Sequence, residues 1–483
     1  MQRFIIYLLP LILLVSSCKK WLDVKPESQV ASEELFTTPQ GFEDALNGIY
    51  TRCSQSDLYG TELTMGLPDV LALNWLISPN ADYLNYLQAS LYNYKDQNFI
   101  TKKDGIWQGL YNAIANDNLL LQNVDSGKVL SPAEYPLIKG EALALRAYMH
   151  FDVLRLFAPS FLTGAGTPAI PYVTTFSNKV TSTSSVADVI KLILKDLNDA
   201  KVLLRQADPI LSPGYVVGYP GDAAAKETSS DTLFQQNRRQ RLNYYAVCGE
   251  LARVYLYMND KTNALSNALE VINSRKFPFT DQSDFINADP TLKDRILYKE
   301  LIFDLAIPTL NNTLVNYFGF NGNGSLYLSS DMGSTIYETN GVGATDLRFQ
   351  QWFKPGANLF LTKYSRDADT NRHPLVAPAM RLSEMYYIAA ESSYGSNPVQ
   401  AVSYIDTVRS ARGIDPLQVS SPSDFITQLV KEARKEFYGE GQIFYMYKRL
   451  NLGIVGPTGI VNPPTDNTFV LPLPLTEIEF GGR

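Results

Sequence analysis

The strongest constraint on this chain is a helical period in its apolar residues that is lost over three long stretches. Residues spaced three and four apart mark one face of a helix, and that spacing runs over 40–53, 106–124, 133–157, 186–205, 239–258, 262–274, 378–394, 398–412 and 423–449. Between them lie 54–100, 207–237 and 275–377, read as inserted loops. The middle stretch, "DPILSPGYVVGYPGDAAAKETSSD", is rich in Gly, Pro and Ser and reads as exposed. The last carries "FGFNGNGSLYLSSDMGSTIYETNGVG", whose glycines and asparagines suggest turns between short strands. Long irregular segments in a compact protein tend to be functional surface. The expected class is mainly α, with a loop-rich, partly β-hairpin face.

Two helix pairs carry small residues where partner helices would cross. In "CGELARVYLYMNDKTNALSNALEV" these positions are Leu251, Ala252, Tyr255, Ala264, Ala268 and Val271. In "IAAESSYGSNPVQAVSYIDTV" they are Ile388, Ala389, Ala401, Ile405 and Val408. The spacing is similar to that of tetratricopeptide repeats, in which stacked antiparallel pairs complete a shared core. Pairs within 106–157, 239–274 and 378–412 are expected to form such hairpins inside one unit, 39–483. Their scattered placement argues against a simple solenoid.

Residues 1–17 have a charged start at Arg3, an apolar run from Phe4 to Val15 and two small residues, the layout of a secretory signal. The run is shorter than the roughly 20 residues that span a bilayer. Val15-Ser16-Ser17-Cys18 resembles a bacterial lipobox, in which cleavage precedes an acylated cysteine. Several acyl chains on Cys18 would hold the protein firmly to a membrane, with 18–38 as a polar tether. Cys53 and Cys248 make no disulfide framework, and Cys248 lies in an apolar helical pattern.

A net charge of −7 argues against nucleic acid, since phosphate binding needs a basic face. The aromatic content is unusual in kind, with 29 tyrosines against 4 tryptophans. Tyrosine offers a flat face with a polar tip and suits binding surfaces as well as cores. Catalytic signals are sparse. Of the two histidines, His150 sits in an apolar helix and His373 precedes a proline. No Gly-x-Ser-x-Gly elbow, zinc-ligand spacing or phosphate-cradling loop is present. "DADTN" at 367–371 opens like a calcium loop, but Arg372 stands at the obligatory glycine. Only a spatial pair of carboxylates would leave glycoside hydrolysis open. No cofactor is expected.

Six stretches in order resemble the SusD/RagB family: "CKKWLDVKPESQVASEELFTTPQGFEDALNGIYT", "WQGLYNAIANDNLLLQNV", "GEALALRAYMHFDVLRLFAP", "MRLSEMYYIAAES" with a following "VRSARG", "EARKEFYGEGQIFYMYKRLN" and "LPLPLTEIEF". Together they reach from Cys18 to Phe480. Ala433, Gln442 and Met446 stand where the pattern carries Arg, Arg and Asp. The resemblance implies a SusD-like fold and a lipid-anchored outer-membrane protein that presents an oligomeric nutrient to a SusC-like TonB-dependent transporter. It implies ligand contacts in 66–94 and 310–364, hence Asp69, Asn74, Trp75, Tyr83 and Tyr86 in the first segment and Tyr317, Tyr327, Tyr337 and Trp352 in the second. Trp75 and Trp352 are the leading stacking platforms. A glycan is the first ligand class and a peptide the second. An adhesive or structural surface role and a lipid-anchored hydrolase stand further back. Arg146, Arg155, Arg381 and Arg449 lie on otherwise apolar helices and need carboxylate partners, for which Glu141, Glu384, Glu391, Glu436 and Glu440 are at hand.

Overall fold

The computed structural model describes residues 34–125, 129–319, 325–366, 371–456 and 459–482. The leader, Cys18 and most of the tether lie outside the described residues, as does most of the "DADTN" motif.

Helices form where the period predicts them, and their starts show why. α1 (Pro39–Cys53) begins with Thr38 as N-cap and proline at the first position, where a missing N–H costs nothing. α2 (Gln97–Val124) starts earlier than its apolar period, because Asp96 accepts from the amides of Asn98 and Phe99. α3 (Glu134–Phe157), α4 (Val186–Ala207), α5 (Tyr244–Tyr257) and α6 (Lys261–Ser274) follow. Asn243 caps α5 through bonds from the Tyr245 and Ala246 amides of 3.0 and 3.1 Å. After the long third stretch come α7 (Leu382–Ser393), α8 (Pro398–Ala411), α9 (Pro422–Glu436) and α10 (Ile443–Leu450).

In space α2 packs on α3, α3 on α4, α4 on α5, α5 on α6, α6 on α7 and α7 on α8. The three expected hairpins are there, and the insertions loop out without breaking the stack. The scattered placement that argued against a solenoid is therefore a property of the sequence and not of the packing. Small residues make the close approach possible: Ala252, Ala264, Ala268, Ala389 and Ala401 are all fully buried.

Several boundaries differ from the expectation. The run 423–449 is two helices, split at Phe437–Gln442. Gly439 and Gly441 have φ of +74° and +69°, a region that side chains disfavour, and a Cβ on Gly441 would sit 2.5 Å from the Leu63 carbonyl oxygen. The turn swings Glu440 inward. Residues 378–381, expected to begin a helix, belong instead to strand β2 (Val376–Arg381), antiparallel to β1 (Leu301–Ala306). Proline at 378 is tolerated because this sheet has only two strands. The stretch "SSDMGSTIY", expected as turns between strands, contains a helix at Ser330–Tyr337 capped by Ser329.

The largest correction concerns 54–100. Residues Leu58–Trp75 are almost wholly buried, in a π-helical turn (Glu62–Gly66) and a short helix (Leu67–Leu71) that packs on α10. "LTMGLPDVLALNWL" lacks a clean period because it is apolar on all sides. It is core rather than loop.

The motif arginines are paired inside the protein. Arg146 grips Asp196 through Nε and Nη2 at 2.7 and 2.8 Å. Arg155 pairs with Asp152, and Arg449 forks onto Glu391 with two contacts of 2.6 Å. Glu141 serves Arg238 and Arg241 instead, and Glu384 serves Arg253. Arg381 joins Glu436 and Glu440 in a larger buried network with Glu300, Arg348, Arg412 and Glu432. It welds β2, the end of α8 and α9 together. Among the described residues no helix is long and apolar enough to cross a membrane.

Candidate ligand-binding cleft

The two segments expected to bear ligand do meet. Leu76 and Tyr327 form an antiparallel bridge, with the Leu76 amide donating to the Tyr327 carbonyl at 2.8 Å. Most of the named side chains, however, face inward. Trp75 is 2% exposed and packs edge-on to Tyr438, with ring centres 4.8 Å apart, and against Phe318. Trp352 is fully buried, with its Nε1 donating to the Arg295 carbonyl at 2.6 Å and Lys363 over its ring. Neither tryptophan offers a face to solvent, so neither is the stacking platform that was expected.

Asp69 and Asn74 hold the core instead. Asn74 Nδ2 and the Gly441 amide both donate to Asp69 Oδ1 at 3.2 Å, and Arg434 donates to Asn74 Oδ1. Burial pushes the Asp69 carboxyl up to about 8 despite these donors. Tyr86 and Tyr317 are buried and share a hydroxyl contact of 3.1 Å, and Tyr337 is buried with its hydroxyl donating to the Lys435 carbonyl. In these cases the aromatic spacing reported packing. Of the nine, Tyr83 is well exposed at 74%, and Tyr327 is half-buried beside Phe360, with ring centres 6.1 Å apart.

The large opening lies elsewhere. A cleft of about 1280 Å³ runs between the 219–240 loop, the segment 284–311, and Arg366 with residues 371–375. That exceeds the ~300–1,000 Å³ of ordinary small-molecule sites and suits an oligomer. Its floor is a stack of rings: Tyr219 on Tyr298 at 6.2 Å, and Tyr298 on His373 at 5.3 Å. The Arg372 guanidinium lies 3.8 Å over Tyr219, a favourable cation–ring contact.

Buried polar bonds fix this floor. The Tyr219 hydroxyl reaches Asp294 at 2.9 Å and Asp284 at 3.2 Å. Asp294 also accepts from Thr280 and the Tyr298 amide. Arg239 clamps Glu227 with bonds of 2.7 and 2.6 Å and holds the Gly218 carbonyl, pinning the Gly/Pro-rich loop at both ends. The rim mixes apolar residues such as Pro220, Leu292 and Pro308 with hydroxyl, amide and carboxylate groups of Asp222, Thr228, Asn237, Gln240, Asn287 and Asn311. Such groups donate to and accept from a hydroxyl-rich ligand.

Burial would raise the Asp284 carboxyl, but Arg372 at 2.6 Å and Lys299 at 3.2 Å outweigh it and keep the group below its ordinary value. Arg372 also faces Asp222 at 3.9 Å. Burial, with Arg366 beside it, pulls His373 down to about 3, so the ring is neutral. Hence Asp284 and His373 offer no acid poised near neutral pH. Among the described residues no group of three or more His, Cys, Asp or Glu could hold a metal ion. Tyr219, Asp284 and Arg372 were not among the expected site residues. The signals for Tyr219 and Arg372 were the exposed loop composition of "GYPGD" and the failed calcium motif that Arg372 follows, while Asp284 carried none.

Residues 20–210 match a family profile described as SusD-like, starch-binding associating with outer membrane, and residues 235–463 match the SusD family profile. The chain belongs to the SusD/RagB family. A stretch of 165 residues is 26% identical to SusD-like protein P25 of Formosa agariphila, and spans 32% of this chain and 30% of that relative's length. The fold is shared with a SusD superfamily protein from Bacteroides thetaiotaomicron at a TM-score of 0.73, 24% identity, and coverage of 92% of this chain and 98% of the other. A SusD-like carbohydrate binding protein from Bacteroides vulgatus follows at 0.71, with 17% identity over 92% and 96%. Surface glycan-binding protein A from Bacteroides thetaiotaomicron gives 0.64, with 16% identity over 92% and 97%.

Proposed function

We propose that this protein is a non-catalytic surface lipoprotein of the outer membrane that captures an oligomeric glycan and hands it to a SusC-like TonB-dependent transporter. The observation that carries the reading is the polar cleft, oligomer-sized and rimmed by amides, hydroxyls and carboxylates, on a chain of the SusD/RagB family. Cys18 would carry the anchor, and a polar tether would let the body swing over the transporter. Hydrogen bonds to a hydroxyl-rich ligand, exchanged against water, each contribute little net free energy. Affinity in the micromolar to millimolar range follows, suited to a carrier that must release its cargo. Tyr83 and Tyr327 are the members of the expected aromatic set still open to a ligand and would extend the surface beyond the cleft.

A peptide ligand is the second reading, because the same amides and carboxylates bond peptide groups equally well. Calorimetric titration of the mature protein with a panel of oligosaccharides and of peptides decides between them. Saturable heat with an oligosaccharide supports the proposal. Heat with peptides alone replaces the ligand class, and turnover of either removes the non-catalytic reading.

A further inference from the structure

The polar cleft does not stop at the loop that bounds it. Beyond Asn237 and Gln240 lies a second opening of about 300 Å³, bordered by the C-terminal half of α1, the segment 233–241 and the end of β1. Asn237 and Gln240 line both openings. The opposite wall runs on as well. Leu305 and Ala306 line the smaller opening, and Pro308, next but one along the chain, lines the cleft. The two openings thus share a border on both walls, with the turn 237–240 as the ridge between them.

The fold does not use the amides of this ridge. Asn237 is exposed and Gln240 half-buried, and neither side chain makes a hydrogen bond among the described residues. On α1, Asn47 accepts from Arg241 through Oδ1 and keeps Nδ2 free. The exposed Thr51 hydroxyl donates to the Asn47 carbonyl and keeps its lone pairs. Amides that both donate and accept suit sugar hydroxyls. Leu233, 83% exposed at the edge, adds aliphatic surface for the C–H face of a sugar ring. The charges beneath are balanced. Arg241 lies 3.2 Å from Glu141 and 4.2 Å over the Phe234 ring, and Arg238 pairs with Glu141 and Asp208. Two guanidiniums face two carboxylates, which leaves no net charge for an ionic ligand.

We propose that the smaller opening is a second subsite, and that the cargo is a long, uncharged oligosaccharide lying across the Asn237–Gln240 ridge from one opening into the other. This rests on the glycan reading above and adds chain length and neutrality to it.

Calorimetry of the mature protein with the trisaccharide and the heptasaccharide of the malto, laminari and xylo series tests it, with an oligogalacturonate heptamer as the charged probe. In the series that binds, the heptasaccharide should be about tenfold tighter than the trisaccharide, and the galacturonate about tenfold weaker than the heptasaccharide, one decade in Kd each. Thr51→Leu and Ala306→Leu narrow the smaller opening from different walls, and both positions are exposed, so one variant serves if the other fails to fold. Each should weaken the heptasaccharide about fivefold on the same scale and leave the trisaccharide in place. Equal loss at both lengths, or no loss, overturns the second subsite and leaves the cleft as a glycan site. Tighter binding of the galacturonate overturns the neutral cargo. Absence of saturable heat with every series removes the glycan reading, and this inference with it.

Discussion

Arg381 Nη1 and Glu436 Oε1 lie 2.6 Å apart, and neither side chain has any exposed surface. The two residues belong to different motifs, one at the end of β2 and one at the end of α9. Glu436 also meets Arg412 at 2.6 Å and Arg348 at 3.0 Å, so a single carboxylate faces three guanidiniums. Burial alone would raise its carboxyl, but Arg412 and Arg381 more than reverse this and hold it well below the ordinary range.

Glu436→Ala is expected to cost about 3–5 kcal/mol, the usual loss when one partner of a buried ionic set is removed. Because the folded-state carboxyl titrates below its unfolded value, its stabilisation is present above about pH 4 and is lost as pH falls through the folded value. Urea denaturation at pH 7, at pH 4 and at steps below pH 4 measures both effects. The wild type should keep most of its advantage over Glu436→Ala at pH 4 and lose it as pH falls further toward the folded value, and equal midpoints at pH 7 would refute the role.

Asp304 has the opposite sign. It is fully buried on β1, and neither carboxylate oxygen has a partner. Burial, only partly offset by Arg239, pushes its carboxyl up to about 8. The protonated form is favoured on folding, so this group's contribution is fully present below about pH 4 and declines as pH rises toward 8. Asp304→Asn should therefore gain stability relative to wild type between pH 5 and pH 8. A constant difference across that range would show that the carboxyl ionises normally.

Trp75→Ala and Trp352→Ala should act on stability first. Both rings are enclosed, and emptying such a site costs about 3–5 kcal/mol. Thermal melts followed by circular dichroism should show a clear fall in Tm for each variant. A normal melt combined with selective loss of ligand binding would restore them as platforms.

Much of the fold was legible because helix periods, N-caps and the small residues of the hairpins are local signals. Asn243, Thr38, Pro39 and Ala252 act over a few residues, and the structure places them as their chemistry dictates. The split between α9 and α10 was harder, since Gly441 matters through the Leu63 backbone that approaches it and Gly439 through the side chain of Leu361. The ligand segments show where local reading stops. Trp75 and Trp352 have the composition of a binding surface, and their burial depends on Tyr438, Phe318 and Phe285, which are distant in sequence. The cleft escaped for the converse reason. Tyr219 comes from one long aperiodic stretch and Asp284 and Arg372 from opposite ends of another, and each alone looks like a solvated surface residue. The departures at Ala433, Gln442 and Met446 were visible in the sequence, but that all three line one cavity was not.

The central claim, that the polar cleft holds the nutrient, is tested most directly by a crystal structure of the mature protein with an oligosaccharide that binds it in solution. The account predicts sugar density against Asn287, Gln240 and Asn311, over the floor of Tyr219 and Arg372, with the paired loss of Gln240 and Asn287 to alanine weakening binding by about tenfold or more. Sugar bound only beside Tyr83 and Tyr327, with the cleft empty and the double variant unaffected, would contradict it.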